Sequence, residues 1–298
     1  MAGEVQGERV DASPDTATAV TDRFLDYGTR ERLITYGFYL FAAAMLVFLW
    51  VPLVTVAFLS FGVNTSTILP FQGFTLDNYA VTFATESLMN SFWISVQVAT
   101  ISAGVATVLG VLTSFGLVRF DFRFKETFRT FGILPLIIPG VILGIGLLIF
   151  FRSVVGITTG FLTLVLTHSV YGFPFVMLPV TARLYGFDQS LEESARDLGA
   201  DSIEAFRDVT LPIIAPAIGA GYLFAWIRSF EDFIRAFFVS GTMGVLTTEM
   251  YAMIKFGFAN KMNAMSTFIL FVVAVLLAVA MNFGMVSGFV GSDEGSEE

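Results

Sequence analysis

Four charged residues stand inside a stretch that is otherwise strongly apolar: Arg228, Glu231, Asp232 and Arg235, within Ile213–Val239. Charge inside a membrane is costly and normally faces a bundle interior or a watery path. On one continuous helix, spacings of three and four residues place all four on one face. Two roles are open to such a face. The arginines could neutralise the acids in a structural ion-pair network, and two positive against two negative charges weigh toward it. Alternatively, Glu231 and Asp232 could meet a cationic solute in a translocation path. Cysteine is absent, which removes thiol nucleophiles, thiolate metal ligands and disulfides. The single histidine, His168, cannot build a metal site alone and is expected to be a hydrogen-bonded packing residue. No catalytic or metal-ligating set is expected. No G-x-x-x-x-G-K-[ST] run occurs, so if ATP drives this protein another chain must bind it, and no cofactor is expected here.

Elements that could position those charges follow from the apolar pattern. Hydrophobic residues make up 55% of the chain, with 34 Phe, against 14% charged residues, far from the usage of soluble domains. A span needs about 20 mainly apolar residues to cross about 30 Å of hydrocarbon. Six runs qualify: Tyr36–Phe61, Ser91–Val118, Phe131–Phe151, Thr158–Ala182, Ile213–Val239 and Ala264–Val286. The fold class is therefore an all-α membrane protein of six transmembrane helices, with a two-helix loop between spans four and five. Soluble ATPase, nuclease and kinase readings fail on this pattern. Ser102, Gly104, Ala106, Gly110 and Ser114 in span two, and Gly140, Gly144 and Gly146 in span three, suit close helix packing. Pro135 and Pro139 predict a local break in span three, and Pro52 is tolerable near the far end of span one.

Charge placement orients the spans. Eleven of the 16 basic residues lie in the N-terminal tail, after span two and around the central loop; Arg152, Lys255 and Lys261 lie on the other side. The positive-inside rule then puts both termini and the central loop in the cytoplasm of a cell-membrane protein. Residues 1–32 read as a polar cytoplasmic tail without a signal peptide, mostly disordered and ordering near Asp22–Arg32. Residues 33–290 form the membrane domain, including the loop 187–212, and 291–298 an acidic tail. The net charge of −9 argues against nucleic-acid binding. Only three of the 16 basic residues are lysine, while seven acids precede Arg32 and seven lie in the central loop. An acidic, lysine-poor wetted surface suits a high-salt cytoplasm, so a halophilic prokaryotic source is expected. Asn64-Thr65-Ser66 is a formal glycosylation acceptor in the first outer loop.

The central loop, Asp188–Pro216, is the only long polar segment between two strongly apolar ones. One helix is expected to open on a capping box, Ser190-x-x-Glu193, and to stop near Gly199. A second should open on Asp201-x-x-Glu204 and end at Leu211-Pro212, where proline begins a new helix. Within these stands Glu193-Ser194-Ala195-x-x-x-Gly199, then nine residues, then Val209-x-Leu211-Pro212. This resembles the EAA loop of ABC-importer permeases, with Ser194 where the family has alanine. Further on, Ser229-Phe230-Glu231-Asp232-Phe233, Phe237–Gly241, Met250–Lys255 and Asn263-Ala264 resemble the spermidine/putrescine group of those permeases, from Leu40 to about Val286. Glu231 replaces the usual aspartate, and Arg228 and Arg235 depart from a mostly uncharged pattern. Thr75–Tyr79 is similar to the family's outer lead-in, where a short helix lies near the binding protein.

The resemblance implies a permease subunit that moves a small solute inward without being an enzyme itself. It implies a cytoplasmic ABC ATPase dimer that binds ATP, a second permease subunit (a similar chain or a second copy), and an extracytoplasmic solute-binding protein. Glu193, Ala195, Arg196, Gly199, Ala200, Leu211 and Pro212 would form the ATPase-coupling loop, with Arg196 and Arg207 pairing with acids on the partner. Glu231, Asp232, Arg228 and Arg235 would line the substrate path. A polyamine is the implied solute, with ferric iron or thiamine as alternatives. The rival class is an ion-gradient-driven secondary transporter; such proteins usually carry internal repeats, and none is found in this sequence.

Overall fold

Prolines, glycines and the intramembrane acids decide where the long apolar runs bend. A computed structural model describes residues 15–63, 72–257 and 259–282. The tail before Asp15, the Asn64-Thr65-Ser66 acceptor and the acidic tail 291–298 lie outside the described residues. Residues 1–58 and 59–298 form separate units. The helix α1 (Asp15–Ser60) makes up the described part of the first unit and ends two residues beyond it. It already begins at Asp15, ahead of the ordering expected near Asp22, and continues through Pro52.

The second unit is helical apart from one bridge, Gly62 to Phe74, among the described residues. Its helices are α2 (Asp77–Phe83), α3 (Glu86–Arg119), α4 (Lys125–Ile137), α5 (Gly140–Ile149) and α6 (Phe161–Tyr185). Then come α7 (Ser190–Asp197), α8 (Ser202–Ala205), α9 (Leu211–Phe230), α10 (Ile234–Val239), α11 (Leu246–Phe256) and α12 (Ala259–Asn282). Wide π turns follow α5 at Phe150–Val155 and α8 at Phe206–Thr210. Among the described residues, five helices are long and apolar enough to span a membrane, and six if the bent α4–α5 pair counts as one span.

The third span is broken as expected, by 105° between Ile137 and Gly140. Pro139 biases the preceding residue away from helix, and Ile138 is extended at φ −67° and ψ 128°. The fifth span does not run to Val239. It stops at Phe230, and α10 starts afresh at Ile234. Asp232 explains the restart: its Oδ1 accepts the Arg235 backbone N–H at 3.4 Å, a local bond that competes with the helical ladder. The single charged face expected of one continuous helix therefore does not exist.

Apolar surface cannot drive helices together where the solvent is itself apolar, so close packing and interhelical hydrogen bonds must do so. α3 supplies small buried residues, Ala99, Ser102, Ala103, Ala106 and Gly110, against α6 and α9. A Cβ on Gly110 would stand 2.8 Å from Val176 Cβ, whereas one on Gly104 or Gly146 would meet nothing within 4 Å in this chain. Ala103, Ala106, Val176, Val180, Ile214 and Ala225 fill one buried layer. A neighbouring layer is built around Val98, Leu164, Ala236 and Val239. Hydroxyls cross-link the helices: Ser114 Oγ donates to the Met177 carbonyl at 3.0 Å, and Thr163 Oγ1 to the Val239 carbonyl at 2.8 Å.

Candidate functional site

The break after α9 separates the four intramembrane charges into two pairs with different surroundings. Arg235 Nε donates to Asp232 Oδ2 at 2.7 Å, and the two side chains are only 9% and 3% exposed. The Arg235 guanidinium carbon lies 3.4 Å from the centre of the Tyr171 ring. Its Nη1 meets α5, where a Cβ on Gly140 would stand 2.9 Å away. Glycine at the start of α5 thus leaves the space that the guanidinium occupies. His168 Nε2 is 3.5 Å from Asp232 Oδ2 and has no hydrogen-bond partner, while its Nδ1 bonds Ser229 Oγ at 2.7 Å. Ser229 Oγ is also 3.0 Å from Ser102 Oγ on α3. Thr247, just inside α11, donates to the Asp232 carbonyl at 3.0 Å. Asp232 and Arg235 therefore pin together α5, α6, α10 and α11, and Ser229 ties α3 to His168 beside them. His168 is the hydrogen-bonded packing residue the sequence suggested.

Arg228 and Glu231 form the second pair. They are ion-paired three residues apart, with side chains 40% and 50% exposed. Arg228 also donates from Nε and Nη2 to the Tyr171 hydroxyl, at 3.2 and 2.5 Å. Its guanidinium carbon lies 5.6 Å from the Tyr171 ring centre and 5.9 Å from that of Phe175. Tyr171, carried on α6 and invisible to the charge pattern, is the hub: one arginine lies over its face and the other bonds its oxygen.

The loop between α6 and α9 departs from expectation at its start and its end. Asp188 Oδ1 accepts the Ser190 N–H at 2.9 Å, which holds its carboxyl below the usual carboxylate range. Ser190 is itself inside α7, and no Ser190–Glu193 capping box forms. The second box forms fully: Asp201 Oδ1 accepts the N–H groups of Ile203 and Glu204 at 2.8 Å, and Glu204 Oε2 accepts that of Asp201 at 3.0 Å. Gly199 carries the reversal between the two helices at φ +101°, a conformation costly to any residue with a Cβ. α9 starts at Leu211 with Pro212 in its first turn, as expected. The second loop helix does not stop before it: α8 is only four residues long and runs through the π turn Phe206–Thr210 into α9. Proline lacks an N–H and clashes with the carbonyl four residues back; for Pro212 that carbonyl is Asp208's, and the wide turn absorbs the conflict.

Glu193, Arg196 and Gly199 are exposed, and Ala195 and Ala200 are half-buried. Leu211 and Pro212 belong to the start of α9 rather than to the α7–α8 reversal. Arg207 is exposed and holds Asp208 through Nε and Nη2 at 2.7 and 3.0 Å. The acid that anchors α7 is Glu192, which the motif passes over. Its Oε1 accepts from Arg119 Nη2 at 2.5 Å, at the end of α3, and from Thr210 Oγ1 in the wide turn. Helical phase could have separated the adjacent acids: Glu192 shares the inward face with Ala195, three residues on, and Glu193 points outward.

The description "binding-protein-dependent transport system inner membrane component" matches residues 106–286 of this chain. The chain belongs to that family. The permease is 33% identical over 251 residues to the spermidine/putrescine transport system permease protein PotC of Escherichia coli strain K12, covering 84% of this chain and 92% of PotC. It is 32% identical over 241 residues to the putrescine transport system permease protein PotI of the same strain, covering 78% of this chain and 85% of PotI. Its fold matches a bacterial ABC transporter involved in import of the acidic polysaccharide alginate, at TM-score 0.67 and 17% identity, over 91% of this chain and 100% of that one. The MetNI methionine ABC transporter in inward-facing form matches at TM-score 0.57 and 20% identity, over 67% and 95%. The permease is thus a membrane-spanning subunit of an ABC importer, which decides against the ion-gradient alternative.

Proposed function

We propose that this permease carries a polyamine of the spermidine/putrescine class into the cytoplasm, driven by ATP hydrolysed on a separate subunit. The observation that carries the reading is identity of 33% sustained across 84% of the chain and 92% of PotC. A second permease subunit completes the path, and a solute-binding protein delivers the polyamine from outside. Two ATPases dock on the loops of the permease pair, and the ATP stays with them. Glu193, Ala195, Arg196, Gly199 and Ala200 meet the ATPase. The exposed apolar side chains Leu198 (90%) and Ile203 (75%) support a protein partner on this surface. Glu192 passes movement of α7 to Arg119 on α3, and α8 passes it directly to α9 because the two are continuous. Such a lever couples two sites through an element with two positions.

The basic residues of the central loop and of the connector after α3 support a cytoplasmic position for the loop and both termini. Lysine scarcity and the surplus of acids support a high-salt source. The decisive experiment is uptake of radiolabelled spermidine and putrescine in cells lacking polyamine importers, expressing this permease with the ATPase, permease and binding protein of its own gene cluster. ATP-dependent accumulation is expected, rising with salt. A transporter that assembles and hydrolyses ATP but takes up neither polyamine refutes the substrate.

A further inference from the structure

The Arg228–Glu231 pair differs from its neighbour in being half-exposed. Around the Arg228 guanidinium are the Glu231 carboxylate, the Tyr171 hydroxyl oxygen, and the rings of Tyr171 and Phe175 within 6 Å. The last turn of α9 ends at the same place, with Glu231 as its cap. A helix C-terminus carries partial negative charge, and broken membrane helices use such ends to hold cations. Carboxylate, phenol oxygen and the Phe175 ring face suit a primary ammonium, which has three N–H donors and no acceptor. The cation now in that cage belongs to the protein.

We propose that Arg228 occupies a substrate-ammonium site made by Glu231, Tyr171 and Phe175, and that a primary ammonium of the cargo displaces it during transport. The inference rests on the polyamine reading above and deepens it. Glu231 replaces Asp232 as the acid that meets cargo. Asp232 is 3% exposed in its side chain and already taken by Arg235, so cargo would have to break a buried pair to reach it. Glu231 is half in the open, and exchanging one cation for another leaves the site neutral. A built-in competitor also keeps the site weak, and a transported ion must be able to leave. When the ammonium arrives, Arg228 gives up Glu231 and moves outward; when the ammonium departs, the pair closes again.

A gain of affinity on removing a positive charge separates this role from a structural one. The test uses the purified complex of this chain with its partner permease and ATPases, without binding protein, and radiolabelled spermidine as probe. Arg228→Gln is expected to lower the half-saturating spermidine concentration about tenfold, equivalent to about 1.4 kcal/mol. Glu231→Gln should raise it by a similar factor, and Glu231→Asp should recover most of the loss. Loss of binding in Arg228→Gln, or unchanged binding in both Gln variants, overturns the assignment. So does the absence of spermidine binding to both wild type and Arg228→Gln. Should Glu231→Gln fail to assemble, Arg228→Gln alone decides, because an arginine that merely holds the helix end cannot improve binding when lost. Wild-type uptake with unaltered binding in the variants removes the site alone; no wild-type polyamine uptake removes the substrate reading and the site with it.

Discussion

Asp232→Asn should unfold the permease more easily, and its partner residue should be Arg235. Removing one member of a buried ion pair costs about 3–5 kcal/mol, because the other charge is left without compensation. The pair here is buried on both sides, with side chains 9% and 3% exposed and an Nε–Oδ2 distance of 2.7 Å. Asparagine keeps one oxygen for Arg235 Nε, and the guanidinium keeps the Tyr171 face 3.4 Å away. Those residual interactions place the loss at the lower end, about 3 kcal/mol. At about 2–4 °C per kcal/mol for a chain of this size, the melting temperature should fall by about 6–12 °C. Arg235→Gln should fall comparably, since it strands Asp232 beside the unpartnered His168 Nε2. Asp232→Asn with Arg235→Gln removes both charges and should regain about 2 kcal/mol over the sum of the single losses. Arg228→Gln with Asp232→Asn should regain nothing, because those residues belong to different pairs. The measurement is thermal unfolding of the detergent-solubilised complex, followed by tryptophan fluorescence. Additive losses in the 232/235 double mutant, or rescue by Arg228→Gln, would refute the division into two pairs.

Gly199→Asp should reach the membrane in normal amount yet abolish transport, because aspartate strains the φ +101° reversal by about 1–2 kcal/mol and adds charge where the ATPase docks; normal uptake counts against the docking surface. Glu192→Gln should lower solute moved per ATP hydrolysed while costing only about 1 kcal/mol of stability, since it loosens α7 from Arg119 and Thr210 without opening the core; an unchanged coupling ratio excludes the anchor. The purified single chain should hydrolyse no ATP, having no phosphate-cradling loop, and hydrolysis abolished by a substitution in this chain would overturn its role as permease.

Periodicity and motif spacing carry the parts of this protein that depend on neighbours along the chain. The six apolar runs, the broken third span at Pro139, the Asp201–Glu204 capping box and the helical reversal at Gly199 are all local, so residue order alone determines them. So is family membership, because the loop pattern around Glu193 and Gly199 is a sequence pattern. What tertiary structure decided is the partner of each charge. Spacing put Arg228, Glu231, Asp232 and Arg235 on one helical face, but the Asp232 side chain bonds the Arg235 amide and the helix ends at Phe230. Once that face is split, burial and Tyr171, 57 residues from Arg228 in sequence, separate a sealed pair from an accessible one. Glu192 has the same lesson: its partners Arg119 and Thr210 are 73 and 18 residues away. Burial and long-range pairing are properties of packed helices, and no window along the chain contains them.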